Sequence, residues 1–201
     1  MQKMATGNAR VGLYLDVSNL VVSTKEVHGE TAMVDFKRLL HYAEGLGKLC
    51  VAAAFTSINP TGNGNSSLLM TLKSVGYTHV VGRVQKQLPD GRFKCDLDAT
   101  LGFALGQDLM VHRLQKVTIV TGDGDFTGVV EALQHQHVEV TVVGPTRRTA
   151  SELIIAAHHF HYLHELELIT SGKASRAERE NSLRSKPSEH AAQFNGVASA
   201  N

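Results

Sequence analysis

The stretch KVTIVTGDGDF (116–126) decides how the chain is read. Four of its first five residues, Val117 to Val120, are β-branched and make a run of strand length. The run stops at Thr121 and Gly122, two carboxylates follow at Asp123 and Asp125, and helical spacing then begins. A buried strand that passes through a short polar loop into a helix is one βα unit. Working outward, the unit recurs. VGLYLDV (11–17) is a short apolar run ending near Asp16, and KLCVAAAF (48–55), THVVGRV (78–84) and VEVTVVG (138–144) read as further strands. Helices are expected over 34–46, with Asp35 as N-cap, and over 66–76, stopping at Gly76. Others are expected over 97–110, 125–136 and 150–158, and FHYL (160–163) reads as a short final strand. PDG (89–91) marks a tight turn, while 20–33 and 57–65 read as long loops. Near-continuous apolar strands alternating with helices predict a three-layer α/β fold around a parallel sheet.

Composition bounds the rest. A chain of 201 residues with 42% hydrophobic content suits one domain with a tail. Lys plus Arg number 20 and Asp plus Glu 19, so no global basic field draws in nucleic acid and any such contact must be local. Two cysteines, Cys50 and Cys95, exclude a disulfide scaffold and a Cys-rich zinc module. No apolar run approaches membrane-span length, and the Val11–Leu15 run is too short for a secretory segment. The expected setting is a reduced cytoplasm. Residues 1–170 read as the folded domain. Residues 171–201 are rich in Ser, Ala, Lys and Arg and carry five basic against three acidic residues. They read as a flexible, weakly basic tail, because so little apolar surface cannot offset the entropy of ordering.

In open parallel sheets, function gathers at the carboxyl ends of the strands. Asp16 ends the first strand, Asp123 and Asp125 follow the KVTIV strand, and Asp96 and Asp98 sit in KCDLD (94–98) just before a helix. If the first strand neighbours KVTIV, Asp16, Asp123 and Asp125 converge, and the 96/98 pair reaches them from the helix start. Clustered carboxylates repel unless a cation joins them. Mg²⁺ or Mn²⁺ accepts hard oxygen ligands, and the chemistry such a site suits is phosphodiester hydrolysis.

Three other readings of TGDGDFTG (121–128) fail. The glycines at 122, 124 and 128 do not match G-x-G-x-x-G, and two Asp would face a pyrophosphate. A D-x-D-x-T phosphotransferase motif needs later acids, and no Asp occurs after Asp125. An EF-hand loop needs Glu at its twelfth position, where Gln134 stands, and a helix before it rather than a strand.

YLDVSNL (14–20), K-x-D-x-D (94–98), IVTGDGDFTGVVEAL (119–133), VTVVG (140–144) and TASELIIAA (149–157) together resemble the NYN domain, in its LabA-like (DUF88) branch of the PIN-like superfamily. The resemblance runs from about Arg10 to Leu163. It implies a PIN-like sheet of order 3-2-1-4-5 and a metal-dependent ribonuclease site acting on RNA. Carried over residue by residue, it implies Asp16, Asp98, Asp123 and Asp125 as catalytic metal ligands with Asp96 beside them. Asn19 orients the first loop or touches phosphate, Lys94 matches a family Lys, and Ser151 lies near the cleft mouth. Two positions depart from the pattern. Gly102 and Ala104 stand where many relatives carry another Asp, and Ala157-His158 stands where relatives often have Ala-Asp. A non-catalytic RNA- or protein-binding regulator is therefore a second reading, and a small-phosphoester phosphatase a third.

Basic residues sort locally. Arg83, Lys86, Arg92 and Lys94 outweigh Asp90 over 83–94, which reads either as a contact for an RNA backbone or as a solvated hairpin. Arg147 and Arg148 follow the fifth strand as candidate phosphate contacts. His158, His159, His161 and His164 bunch together, but a helix end and an edge strand account for them without a metal. An exposed edge at the third or fifth strand leaves room for a homo-oligomer, and no residue demands one.

Overall fold

The computed structural model describes residues 8–60, 65–91, 93–95 and 97–171. The tail beyond Ser171, Arg92 and Asp96 lie outside them. The described chain runs β1 (Arg10–Asp16), α1 (Val17–His28), β2 (Ala32–Val34), α2 (Phe36–Gly45), β3 (Lys48–Ile58), α3 (Asn65–Val75), β4 (His79–Val84), β5 (Lys86–Gln87) and β6 (Phe93–Lys94). It continues through α4 (Leu97–His112), β7 (Lys116–Val120), a 3-10 turn (Gly124–Phe126), α5 (Thr127–His135), β8 (Glu139–Gly144), α6 (Ser151–Ala156), β9 (His159–Tyr162) and β10 (Ile169–Ser171).

Six strands form the main sheet in the order β4-β3-β1-β7-β8-β9, with every neighbouring pair parallel. This is an α/β fold with helices on both faces, consistent with a PIN-like fold. Numbered within the sheet, the strands run 3-2-1-4-5 and then 6. The expected order is thus extended by β9, which covers the edge of the fifth strand and leaves β4 and β9 as the outer strands.

Alternation along β1 explains the two cores. Val11, Leu13 and Leu15 project to the face covered by α1, α2 and α3, where Leu20, Leu39, Leu72 and Val143 complete a buried cluster. Tyr14 projects the other way and packs with Phe55, Leu101, Leu105, Ile119, Phe126, Val130 and Leu153 beneath α4, α5 and α6. The Tyr14 hydroxyl donates to Asp108 Oδ2 at 3.1 Å. Burial first, and the Asp108 charge second, push that phenol well above its ordinary range.

Segment 20–33 is not the loop its composition suggests. Helix α1 begins directly after β1, and Asp16 caps it by accepting from Asn19 N at 3.1 Å. Val17, Val21, Val22 and Thr24 are poor helix formers. Leu20 and Val17 are buried against the sheet, and that packing overrides local propensity. Asp35 caps α2 as expected, accepting from Lys37 N and Arg38 N. The small β2–β10 pair has no counterpart in the sequence reading. The basic segment forms the β5–β6 hairpin, whose turn closes with Gly91 N donating to Leu88 O at 2.9 Å and Gly91 at φ 83.

Candidate metal centre at the carboxyl edge

Strand parity carries Asp16 toward α4. It lies two residues after Tyr14 and so projects to the same face. Thr121, two residues after Ile119, follows the same rule at the end of the adjoining strand β7. Asp98 lies in the first turn of α4, three and seven residues before the buried Leu101 and Leu105, and so shares their inward stripe. Asp123 caps the 3-10 turn after β7, accepting from Asp125 N at 3.0 Å. The outcome is that Asp16, Asp98 and Asp123, from three separate segments, offer carboxylate oxygens that all lie within 4.8 Å of one another.

The electrostatics of this group are unfavourable without a cation. Asp16 is only 6% exposed. Burial is the main reason its carboxyl is pushed up to about 6. The charges of Asp98 and Asp123 add to the rise, while hydrogen bonds from Asn19 and Thr121 oppose it. Among the described residues, no Lys, Arg or His offsets the charge on Asp16. A set of hard oxygen donors around a buried carboxylate is what Mg²⁺ or Mn²⁺ accepts, so the residues present fit such an ion.

Hydrogen bonds around the three acids fix them in place. The Thr121 hydroxyl faces Asp16 Oδ2 at 3.4 Å and accepts from Asp123 N at 3.2 Å, so one buried hydroxyl braces two of the acids. Asn19 Oδ1 accepts from Gly122 N at 2.9 Å, tying the start of α1 to the loop after β7. Gly122 admits no side chain, since a Cβ there would lie 2.2 Å from the Arg148 carbonyl oxygen. Ala150 N donates to Gly122 O at 3.0 Å, which locks the 145–150 loop against the site.

Other expected residues are dispersed. Asp125 is exposed and stands outside the three-carboxylate group. Arg148 is paired with Glu26 of α1 at 2.9 Å, whereas Arg147 is exposed at φ 59. Ser151 is exposed and donates to Glu152 Oε2 at 3.3 Å. Lys94 lies on β6, immediately before α4 in the chain, and Asp96 and Arg92 lie outside the described residues. The four clustered histidines do four different things. His158 Nδ1 accepts from Val140 N, His159 faces Glu139, His161 meets Tyr42, and His164 bonds Thr146. Thr121 and Glu152 were not singled out from sequence. Thr121 has a signal in strand parity. Glu152, whose Oε1 lies 2.7 Å from where a Gly124 Cβ would sit, has none.

Residues 10–167 match the NYN domain. The chain belongs to the NYN domain family. NYN domains are PIN-like nucleases, a group that typically uses divalent metals, and the acidic group described above is present in this member. A solved structure of a protein of unknown function from Vibrio parahaemolyticus shares the fold, with a TM-score of 0.67 and 24% identity. That likeness covers 81% of this chain and 96% of the other. No functionally curated protein matches the chain. Among the described residues, no helix is long and apolar enough to cross a membrane.

Proposed function

We propose that this NYN domain, of the LabA-like (DUF88) branch, is a Mg²⁺- or Mn²⁺-dependent ribonuclease. The observation that carries the reading is the meeting of Asp16, Asp98 and Asp123 within 4.8 Å at the carboxyl edge of β1 and β7. Asp16, Asp98 and Asp123 would hold the ion, with Asp96 in support. When bound, such an ion supplies positive charge to a phosphodiester and lowers the pKa of the attacking water. Asn19 and Thr121 hold the ligands in register through Gly122 and Asp123. Asp125, exposed at the rim, takes the proton that the water releases. The water oxygen bonds to phosphorus, the P–O bond to the leaving nucleotide breaks, the leaving oxygen takes a proton from solvent water, and no covalent enzyme intermediate forms. Arg147, Lys94 and Arg92 are assigned to the RNA backbone, with Ser151 at the cleft mouth. Arg148 acts indirectly, since its pairing with Glu26 holds the 145–150 loop.

One observation favours the regulatory alternative: with Gly102 and Ala104 in α4 and Asp125 outside the group, only three described acids converge. The test is incubation of labelled RNA with Mn²⁺, with and without chelator. The ribonuclease reading predicts cleavage that chelator abolishes and that Asp123→Asn lacks. Equal cleavage by wild type and variant would remove the assignment, and Mn²⁺ binding without cleavage would favour the regulator.

A further inference from the structure

The metal centre does not use the ring-bearing side chains at the adjoining end of the sheet, and these form a continuous row. Phe160 meets Tyr162 edge to face at 4.8 Å between ring centroids. Tyr162 stacks on His164 at 5.7 Å and 24°. His164 in turn faces His28, at the end of α1, at 6.5 Å. Phe160 packs against the core beneath α5 and α6 and anchors the row, Tyr162 is half-buried, and His164 and His28 are exposed.

The row is joined to the metal centre through the 145–150 loop. Thr146 Oγ1 and His164 Nδ1 are 2.7 Å apart, Arg148 pairs with Glu26 two residues before His28, and Ala150 N donates to Gly122 O. Helix α1 spans the same interval from the other side. Asp16 caps its start and His28 ends it, roughly 18 Å away by helical rise. Charge along the row is not acidic overall. Glu26 is paired with Arg148, and the charge of Glu165, which accepts from Tyr162 N at 2.8 Å, is matched by Arg147, exposed on the 145–150 loop and in no ion pair among the described residues.

We propose that Tyr162, His164 and His28, with Arg147 beside them, form a stacking platform for the bases of a single-stranded RNA segment extending from the scissile phosphate. Flat rings at the surface accept any base by its π-face, and a neighbouring cation takes the backbone. That pairing is how sequence-tolerant single-strand sites are built. A duplex keeps its bases stacked inside and cannot use the rings. The proposal rests on the ribonuclease reading for the position of the scissile phosphate, and it deepens that reading by selecting unpaired RNA.

The test measures fluorescence anisotropy of a labelled unstructured oligouridine, about twelve nucleotides long, on the full chain with chelator present. The same length as a duplex serves for comparison. The Tyr162→Ala/His164→Ala double variant is expected to bind the single strand on the order of 10-fold or more weakly, with duplex binding unchanged. Tyr162→Phe, which keeps the ring, should retain wild-type affinity. His164→Ala and His28→Ala alter exposed positions and should each weaken single-strand binding; His28, which makes no bond to the 145–150 loop, should do so with Mn²⁺ titration and thermal melting unchanged. Failure of the wild type to bind, or equal single-strand binding by wild type and the alanine variants, overturns the platform. Equal loss for single strand and duplex also overturns it. Mn²⁺-dependent cleavage by those same proteins decides the ribonuclease reading separately.

Discussion

Replacing Asp16 by Asn should stabilise the metal-free protein, although Asp16 is a buried, hydrogen-bonded side chain at the head of a helix. Its carboxyl is raised from 3.8 to about 6, chiefly by burial. At about 1.4 kcal/mol per unit, the ionised form costs on the order of 3 kcal/mol at neutral pH. The native state holds this proton more tightly than the unfolded chain. The penalty is therefore absent below about pH 4 and grows as pH rises through about 6. Asn caps a helix about as well as Asp, and its amide can donate to the Thr121 hydroxyl that now faces the carboxylate. The net expectation for Asp16→Asn is a gain of about 1–3 kcal/mol at pH 7.5 in chelator and none at pH 4. For a domain of this size that is roughly 2–10 °C in melting temperature. Mn²⁺ should shrink the variant's advantage, because an ion at a hundred times its dissociation constant adds about 2.7 kcal/mol to the wild type and less to a variant that binds it more weakly. Calorimetric melts at both pH values, with and without Mn²⁺, read all of this. A variant less stable than wild type at pH 7.5 in chelator, or a difference of the same size at pH 4, would refute the electrostatic reasoning.

Three further substitutions test the framing of the site. Gly122→Ala forces a Cβ against the Arg148 carbonyl; a loss of about 1–3 kcal/mol or more in thermal melts is expected, with weaker Mn²⁺ binding as the 145–150 loop moves. Asn19→Ala leaves the Gly122 N–H without its acceptor; it should cost about 1–3 kcal/mol by chemical denaturation and reduce Mn²⁺ affinity in a titration. Tyr14→Phe removes the hydrogen bond to Asp108 on the buried side of the sheet; a loss of about 0.5–1.5 kcal/mol is expected in denaturant melts, with RNA cleavage unchanged.

The parallel sheet was legible because its strands announce themselves. Val11–Leu15, Val51–Phe55, Val117–Val120 and Val140–Val143 are apolar runs between polar loops, and the structure buries nearly every residue in them. Placing Asp16 beside the 121–126 loop required β1 and β7 to be neighbours, and they are. Helix α1 was hidden because its Val-rich sequence, with Ser18, Asn19, Ser23 and Thr24 among the valines, carries a weak local helix preference that only burial against the sheet overturns. The equivalence of Asp123 and Asp125 in TGDGD was misleading for a geometric reason. Asp123 caps the turn and faces inward, while the 3-10 turn it caps leaves Asp125 at the surface. Arg147 and Arg148 looked alike in sequence, yet one is committed to Glu26 and the other is exposed. The ring row from Phe160 to His28 joins residues more than a hundred positions apart, which no periodicity reveals.

The central claim is that Asp16, Asp98 and Asp123 act together as one cation site. Calorimetric titration of Mn²⁺ into the wild type and into Asp16→Asn, Asp98→Asn, Asp123→Asn and Asp125→Asn tests it most directly. Saturable binding by the wild type is predicted, weakened at least about ten-fold in each of the first three variants and less in the fourth. A wild type that takes up no Mn²⁺, or binding that survives all three inner substitutions, would contradict it.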